Sequence, residues 1–227
     1  MTFSIAGFCQ RTGEFGCALA TSSMAAGGRC PFVAPGHGVV LTQARTDPTL
    51  GLIGLKRLEA GRSAAETLAD MVASSANSTW RQLAVIDRDG RIAEHTGADV
   101  MAPKGGKIGR GGVAIGNAVA NDGVVAAILE GFAAAPERPL ADRLIMGLEY
   151  GLDAGGEAYP LRSAALEVAK PGISFVPIDL RVDFSETPIA ELRRLWTMWA
   201  PMVDGYVQRA LDPGKAPPAQ DIESSAR

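Results

Sequence analysis

Histidine and cysteine are scarce in this chain, with two and three copies among 227 residues. His37 and His95 are too few for a histidine-rich metal site. Cys9, Cys17 and Cys30 are odd in number and lack CxxC spacing, so neither a disulfide framework nor a zinc site is expected. Aromatics are only 6% of the residues, which leaves alanine, valine, leucine and isoleucine to build the core. No apolar run approaches the roughly 18 residues that cross a bilayer. The opening MTFSIAGFCQRTGEFG lacks the basic and apolar segments of a signal peptide. A cytoplasmic location without a membrane partner is therefore expected. A formal net charge of −3 offers no basic field to nucleic acid. Also missing are GxSxG, a P-loop, HExxH and a Rossmann fingerprint set between strand and helix. No metal and no organic cofactor are expected.

What is present reads as alternating blocks of strands and helices. TFSIAGFC and FGCALATSS form a hairpin across QRTGE, and GVVLTQAR is a third strand. The stretch MAAGGRCPFVAPGHG between them reads as irregular, because glycines and prolines interrupt any period. Thr46 or Asp47 caps a helix that starts on Pro48. Ser63 and Glu66 form a capping box for the next one. RQLAVIDRDGRIAEHTG is a hairpin pivoting on Asp89-Gly90, and a glycine- and lysine-rich loop over 103–112 leads to the strand GGVAIGNAVA. Two helices, the strands LRSAALEVAK and VPIDLRVD, and a last helix that Pro201 kinks or splits complete the order. Mostly antiparallel strands in blocks, separated by helix pairs, predict a layered α+β fold and not a doubly wound parallel sheet. The expected organisation is one domain over 1–210 and a disordered, polar, Pro/Ser-rich tail over 211–227.

Thr2 is the residue with the most chemistry to offer. Initiator methionine is generally removed when the next side chain is small, which would leave Thr2 with a hydroxyl and a free α-amine. An α-amine titrates near about 7.7–8.0, suited to taking a proton from a hydroxyl that is otherwise a weak nucleophile. A threonine that opens a strand is held by the ladder instead of fraying. Polar groups end the neighbouring strands: Ser22 and Ser23, Gln43 and Arg45, Gly116 and Asn117. An asparagine amide or a backbone N–H can donate to an oxyanion, worth about 2.7–4 kcal/mol per donor. Each of these residues has an equally ordinary reading as a cap or a strand-end polar group. Arg45 either binds a substrate carboxylate or carbonyl, or pairs with Asp47. Gln43 either orients an amide or satisfies backbone between layers. His95 reads first as a hydrogen-bonded structural histidine, and the cysteines read as core.

In order, the runs MTFSI, ALATSS, TQARTDPTLG, RQLAVID–DG–IAEHTG, the GN of AIGNAVA, SAAL, and DLRVD–PIAELRRL resemble the bacterial family DUF1028. That family is assigned to the N-terminal nucleophile (Ntn) hydrolases, and the likeness covers roughly residues 1–199. The resemblance implies a four-layer αββα sandwich of two mostly antiparallel sheets, with Thr2 at the nucleophile position. It also implies a homodimer, which the Trp196/Trp199 stripe serves equally well as surface or as core. Members often carry a basic residue and an aromatic after the serine where Ser22-Ser23-Met24 stands here. That difference leaves base catalysis to the Thr2 amine. The expected function is an amidohydrolase of a small linear or cyclic amide. Thr2 and Asn117 would be catalytic, and Ser22, Ser23, Gln43, Arg45, Asp47, His95 and Gly116 would line the substrate. The alternative is a non-catalytic Ntn-like sandwich that binds a small molecule or serves as a scaffold.

Overall fold

The computed structural model describes residues 1–224, and ten strands and seven α-helices are assigned among them. Strands β1 (Thr2–Cys9) and β2 (Glu14–Thr21) form the expected hairpin, followed by β3 (Pro31–Ala34) and β4 (Gly38–Ala44). Helices α1 (Pro48–Glu59) and α2 (Ala64–Ala73) lead to β5 (Arg81–Asp87), β6 (Ile92–Thr96), β7 (Lys104–Gly109) and β8 (Gly112–Asn117). Helices α3 (Val124–Ala133) and α4 (Leu140–Asp153), strands β9 (Ser163–Ala169) and β10 (Ile178–Val182), and helices α5 (Pro188–Trp199), α6 (Val203–Leu211) and α7 (Ala219–Ser224) complete the chain. One sheet has the order β10-β9-β2-β1-β8-β7 and the other β3-β4-β5-β6. Every ladder is antiparallel.

The strands alternate between two buried surfaces. Phe3 and Ile5 of β1 pack with Ile128, Phe132 and Leu144 of the helices that cover the larger sheet. Ala6, Cys17, Leu41, Ala84 and Ile115 meet between the two sheets. Val40, Leu83 and Val85 pack outward on Leu50, Leu58 and Met71 of α1 and α2. Helix, sheet, sheet, helix is the resulting order, a four-layer αββα sandwich of α+β class. The polar face of β1 is not a solvent face, since Thr2 and Ser4 are buried against the second sheet.

Local signals act as their chemistry requires. Asp47 accepts the Thr49 N–H at 3.0 Å and caps α1 behind Pro48. Ser63 and Glu66 close a reciprocal capping box on α2. Pro201 splits the last long helix into α5, a 3-10 turn and α6.

Three expectations are corrected. The irregular stretch holds β3, an edge strand that begins on a proline, which an edge position tolerates because no ladder donor is lost there. The loop over 103–112 holds β7, the other sheet's edge. One of its glycines stands where a side chain comes close, because a Cβ on Gly106 would lie 2.3 Å from a Glu94 carboxylate oxygen. The tail over 211–227 is not wholly disordered, since α7 lies within it. Ile222 is buried there, and a Cβ on Gly205 would come within 2.8 Å of its side chain. Residues 225–227 lie outside the described residues. The tryptophan stripe faces inward: Trp196 is buried and donates to Asp142 at 3.2 Å, and Trp199 donates to the Pro177 carbonyl at 3.1 Å.

On the last strands Arg181 of β10 lies 2.8 Å from Asp179 on the same strand and 3.6 Å from Glu167 on the neighbouring β9. Burial, with Asp179 adding its charge, pushes the Glu167 carboxyl up to about 8 from 4.5. Below the unfolded value Glu167 is protonated in both states, and no penalty exists. As pH rises toward 8 the folded state alone keeps the proton, so stability falls across that window. Glu167→Gln is expected to melt progressively above wild type from about pH 5 to about pH 8, by on the order of 2 kcal/mol at the upper end. A difference in melting temperature that stays flat with pH would contradict this.

Candidate functional site

The site is built where β1 begins. Thr2 pairs with Asn117 of β8 in the antiparallel ladder, and both are buried. The Thr2 carbonyl accepts from Asn117 Nδ2 and from Gln43 Nε2, each at 3.3 Å. Its hydroxyl lies 3.3 Å from the Thr21 hydroxyl and donates to the Met1 carbonyl, which also accepts from Thr21 Oγ1 at 2.6 Å. Thr2 is thus fixed at backbone and side chain before any ligand arrives.

Beneath it lies a polar network between the sheets. Gln43 Oε1 accepts from Ser4 at 2.7 Å, and Gln43 Nε2 donates to Gln82 Oε1 at 2.8 Å. Gln82 Oε1 accepts again from Asn117 at 3.0 Å, while Gln82 Nε2 donates to the carbonyl of Gly116 at 2.9 Å. The four side chains Ser4, Gln43, Gln82 and Asn117 are all buried, and their mutual hydrogen bonds offset the cost of removing amides from water. Asn117 spends its two amide hydrogens within this network, so its present job is to hold Thr2.

Beside Thr2 opens a cavity of about 430 Å³, lined by Met1, Arg45, Trp80, Asp99, Met101 and Asn117 among others. The Arg45 guanidinium lies over the Trp80 ring, 4.5 Å from its centroid. One cation, one carboxylate and an apolar floor make a pocket suited to a small polar molecule. Non-glycine residues with left-handed backbone occur at Ala25 (φ 51°), Ala44 (φ 75°) and Ala118 (φ 47°). Ala44 and Ala118 directly follow Gln43 and Asn117, and Ala25 lies three residues after Ser22. Strained backbone of this kind persists where surrounding contacts over-determine it, and it gathers at functional sites.

The other expected residues divide between pocket and scaffold. Ser22 and Ser23 stand at the same strand end: the Ser22 N–H donates to Glu157 at 3.0 Å, and the Ser23 N–H donates to Thr21 Oγ1 at 3.1 Å. Asp47 pairs with Arg81 at 3.7 Å and not with Arg45, because the strand end carries Arg45 toward Trp80. His95 pairs with Leu83 on the face turned to the outer helices, and its Nε2 lies 3.0 Å from the Ser78 carbonyl. It is not among the residues that line the cavity. Gly116 is opposite Phe3, and a Cβ there would meet Val119 and Val125 at 3.0 Å, so it faces the helices while its carbonyl serves Gln82.

Three residues are absent from the sequence-based set: Thr21, Gln82 and Glu157. Glu157 bridges to Val119 and carries a buried Oε1 without a hydrogen-bond partner. Burial raises its carboxyl above the usual range, while Ser22, the chain's N-terminal charge and Thr21 pull it back. Among the described residues, no group of three or more His, Cys, Asp or Glu is placed to hold a metal ion. No helix among them is long and apolar enough to cross a membrane.

Residues 2–192 match the family DUF1028, described as a "Family of unknown function". Among solved structures, the chain is similar to protein SPO2555 from Silicibacter pomeroyi, likewise ascribed to DUF1028. Identity is 28% and the TM-score 0.81, over 88% of this chain and 89% of that one. It is also similar to Anbu (ancestral beta-subunit) from Yersinia bercovieri at 12% identity, with a TM-score of 0.41 over 91% and 97% of the two chains. For a Gly-1 mutant of Anbu from Hyphomicrobium sp. strain MC1 the identity is 13% and the TM-score 0.46, over 93% and 97%. No curated protein matches the chain.

Proposed function

Because the chain belongs to DUF1028, whose description names no reaction, its activity has to be read from the site, and we propose an Ntn-type amidohydrolase acting on a small linear or cyclic amide. The carrying observation is that Thr2, pinned through its carbonyl by Asn117 and Gln43, sits directly behind Met1 and opposite Asn117, two residues that line the cavity. Removal of Met1 frees the Thr2 amine and clears part of that wall. The amine takes the proton from Thr2 Oγ1 as the oxygen bonds to the substrate carbonyl carbon. The same proton passes to the leaving nitrogen as the C–N bond breaks, leaving an ester on Thr2. Water, deprotonated by the amine, then adds to the ester and releases a carboxylic acid. The 3.3 Å contact from Asn117 to the Thr2 carbonyl is the longer of its two bonds, so that N–H is the one redirected to the oxyanion. Thr21 fixes the hydroxyl's direction, and Arg45 on Trp80 meets a carboxylate or carbonyl at the far side of the substrate.

A panel of amides, cyclic imides and ureido compounds, assayed on protein whose intact mass shows Met1 lost, tests the proposal. Acid and amine are the expected products for at least one class. Protein that retains Met1 and still turns a substrate over would exclude the free-amine mechanism. Binding without turnover across the panel would favour the non-catalytic sandwich.

A further inference from the structure

Strand β1 ends at Cys9, seven residues and roughly 23 Å from Thr2 at strand rise. There a second cavity, of about 880 Å³, opens at the opposite end of the sandwich and is lined by Phe8, Cys9, Arg11, Asp89, Arg110 and Arg143 among others. Its charge is unbalanced. Asp89 is already paired with Arg91 at 2.8 Å, and among the described residues none of the three lining arginines forms an ion pair. Arg143 is only 7% exposed, an unusual burial for a guanidinium without a carboxylate.

The protein holds Arg143 in place by uncharged means. Its Nε donates to the Phe132 carbonyl at 3.1 Å, and its guanidinium carbon lies 4.1 Å from the centroid of the Phe132 ring. Arg11 donates to the Glu137 carbonyl at 3.0 Å and lines the same basin. Burial disfavours the Arg143 charge, and Arg11 adds repulsion, with the Cys9 thiol and Glu137 partly offsetting both. Burial pushes the Cys9 thiol up, but hydrogen bonds with Thr12 and Arg11 and the Arg143 charge bring it below the ordinary thiol value. The Cys9 response, set beside three arginines without a carboxylate partner, describes a place where negative charge is favoured. A guanidinium fork matches the oxygens of a phosphate, and two or more converging forks match a multiply charged one.

We propose that this basin is a second binding site, for a phosphate-bearing anion, with Arg143 as the buried anchor and Arg11 and Arg110 at the rim. The site stands apart from the Thr2 chemistry and does not depend on it. Calorimetric titration of the full chain with inorganic pyrophosphate, at ionic strength held constant with chloride, tests it. Saturable binding with Kd on the order of 0.1 mM is expected. The exposed double variant Arg11→Gln/Arg110→Gln is expected to weaken it about tenfold and Arg143→Met to abolish it. A parallel titration with ADP identifies the source of the phosphate. Tighter binding of ADP assigns an organic phosphate whose other half rests near Phe8, and equal or weaker binding assigns the inorganic anion. No saturable binding of either to about 10 mM, or unchanged affinity in the double variant, overturns the proposal. The double variant keeps this outcome readable should Arg143→Met fail to fold.

Discussion

Thr2→Ala is expected to cut turnover of any amide that the wild-type protein cleaves by about a thousandfold or more, with the fold intact. The size follows from what is removed. In the proposed reaction the hydroxyl supplies the bond-forming atom, and no other side chain of the site substitutes for it: Thr21 Oγ1 is 3.3 Å away but has no α-amine of its own to take its proton. The fold should survive, because Thr2 is anchored mainly through its carbonyl and the β1–β8 ladder, which alanine keeps. Alanine is also small enough for Met1 to be removed, so the amine remains and the loss reports on the hydroxyl alone. Thr2→Ser keeps a nucleophile and should retain a substantial fraction of activity. Equal turnover by wild type and Thr2→Ala, measured on protein of verified intact mass, would defeat the nucleophile assignment while leaving the pocket as a binding site.

That Thr2 could be singled out from sequence, while its surroundings could not, has a physical cause. Strand periodicity, hairpin turns and caps are local, so β1, β2, α1 and α2 are legible from residues a few positions apart. The edge strands β3 and β7 are not, because edges relax the composition rules: one starts on proline, and the other is rich in glycine where Glu94 approaches. Gln82 reads as one polar residue in an apolar run, yet its partners lie 39 and 35 residues away. Glu157 stands among small residues in a turn, and only the bridge to Val119 shows that it is buried beside the N-terminus. Arg81 displaces Arg45 as the partner of Asp47, a choice made by strand-end geometry and invisible to spacing. Position along the chain picked out Thr2 as the candidate nucleophile, whereas the groups that hold it are defined by packing.

Gln82→Leu is expected to destabilise the protein by about 3–5 kcal/mol, a large share of the roughly 5–15 kcal/mol that holds a domain folded. Leucine is close to glutamine in size, so the loss is not one of volume. Gln82 is fully buried, and its Oε1 accepts from both Gln43 and Asn117. Its Nε2 donates to the carbonyls of Gly116 and Gly105 and reaches Thr96 Oγ1 at 3.0 Å. Leucine leaves two amide donors and two carbonyls short of a partner between the sheets, each costing about 1–3 kcal/mol when water is excluded. Local repacking recovers some of this, which sets the expected total below the sum. Because Asn117 and Gln43 both hold the Thr2 carbonyl, turnover should fall as well, through misplacement of a hydroxyl that the substitution never touches. Urea unfolding of Gln82→Leu, Asn117→Leu and the double variant separates the two roles. Strong non-additivity is expected, since the second substitution removes a donor that the first has already orphaned. A loss below about 1 kcal/mol, or simple additivity, would mean that the amides are satisfied some other way and that Thr2 is held by the ladder alone.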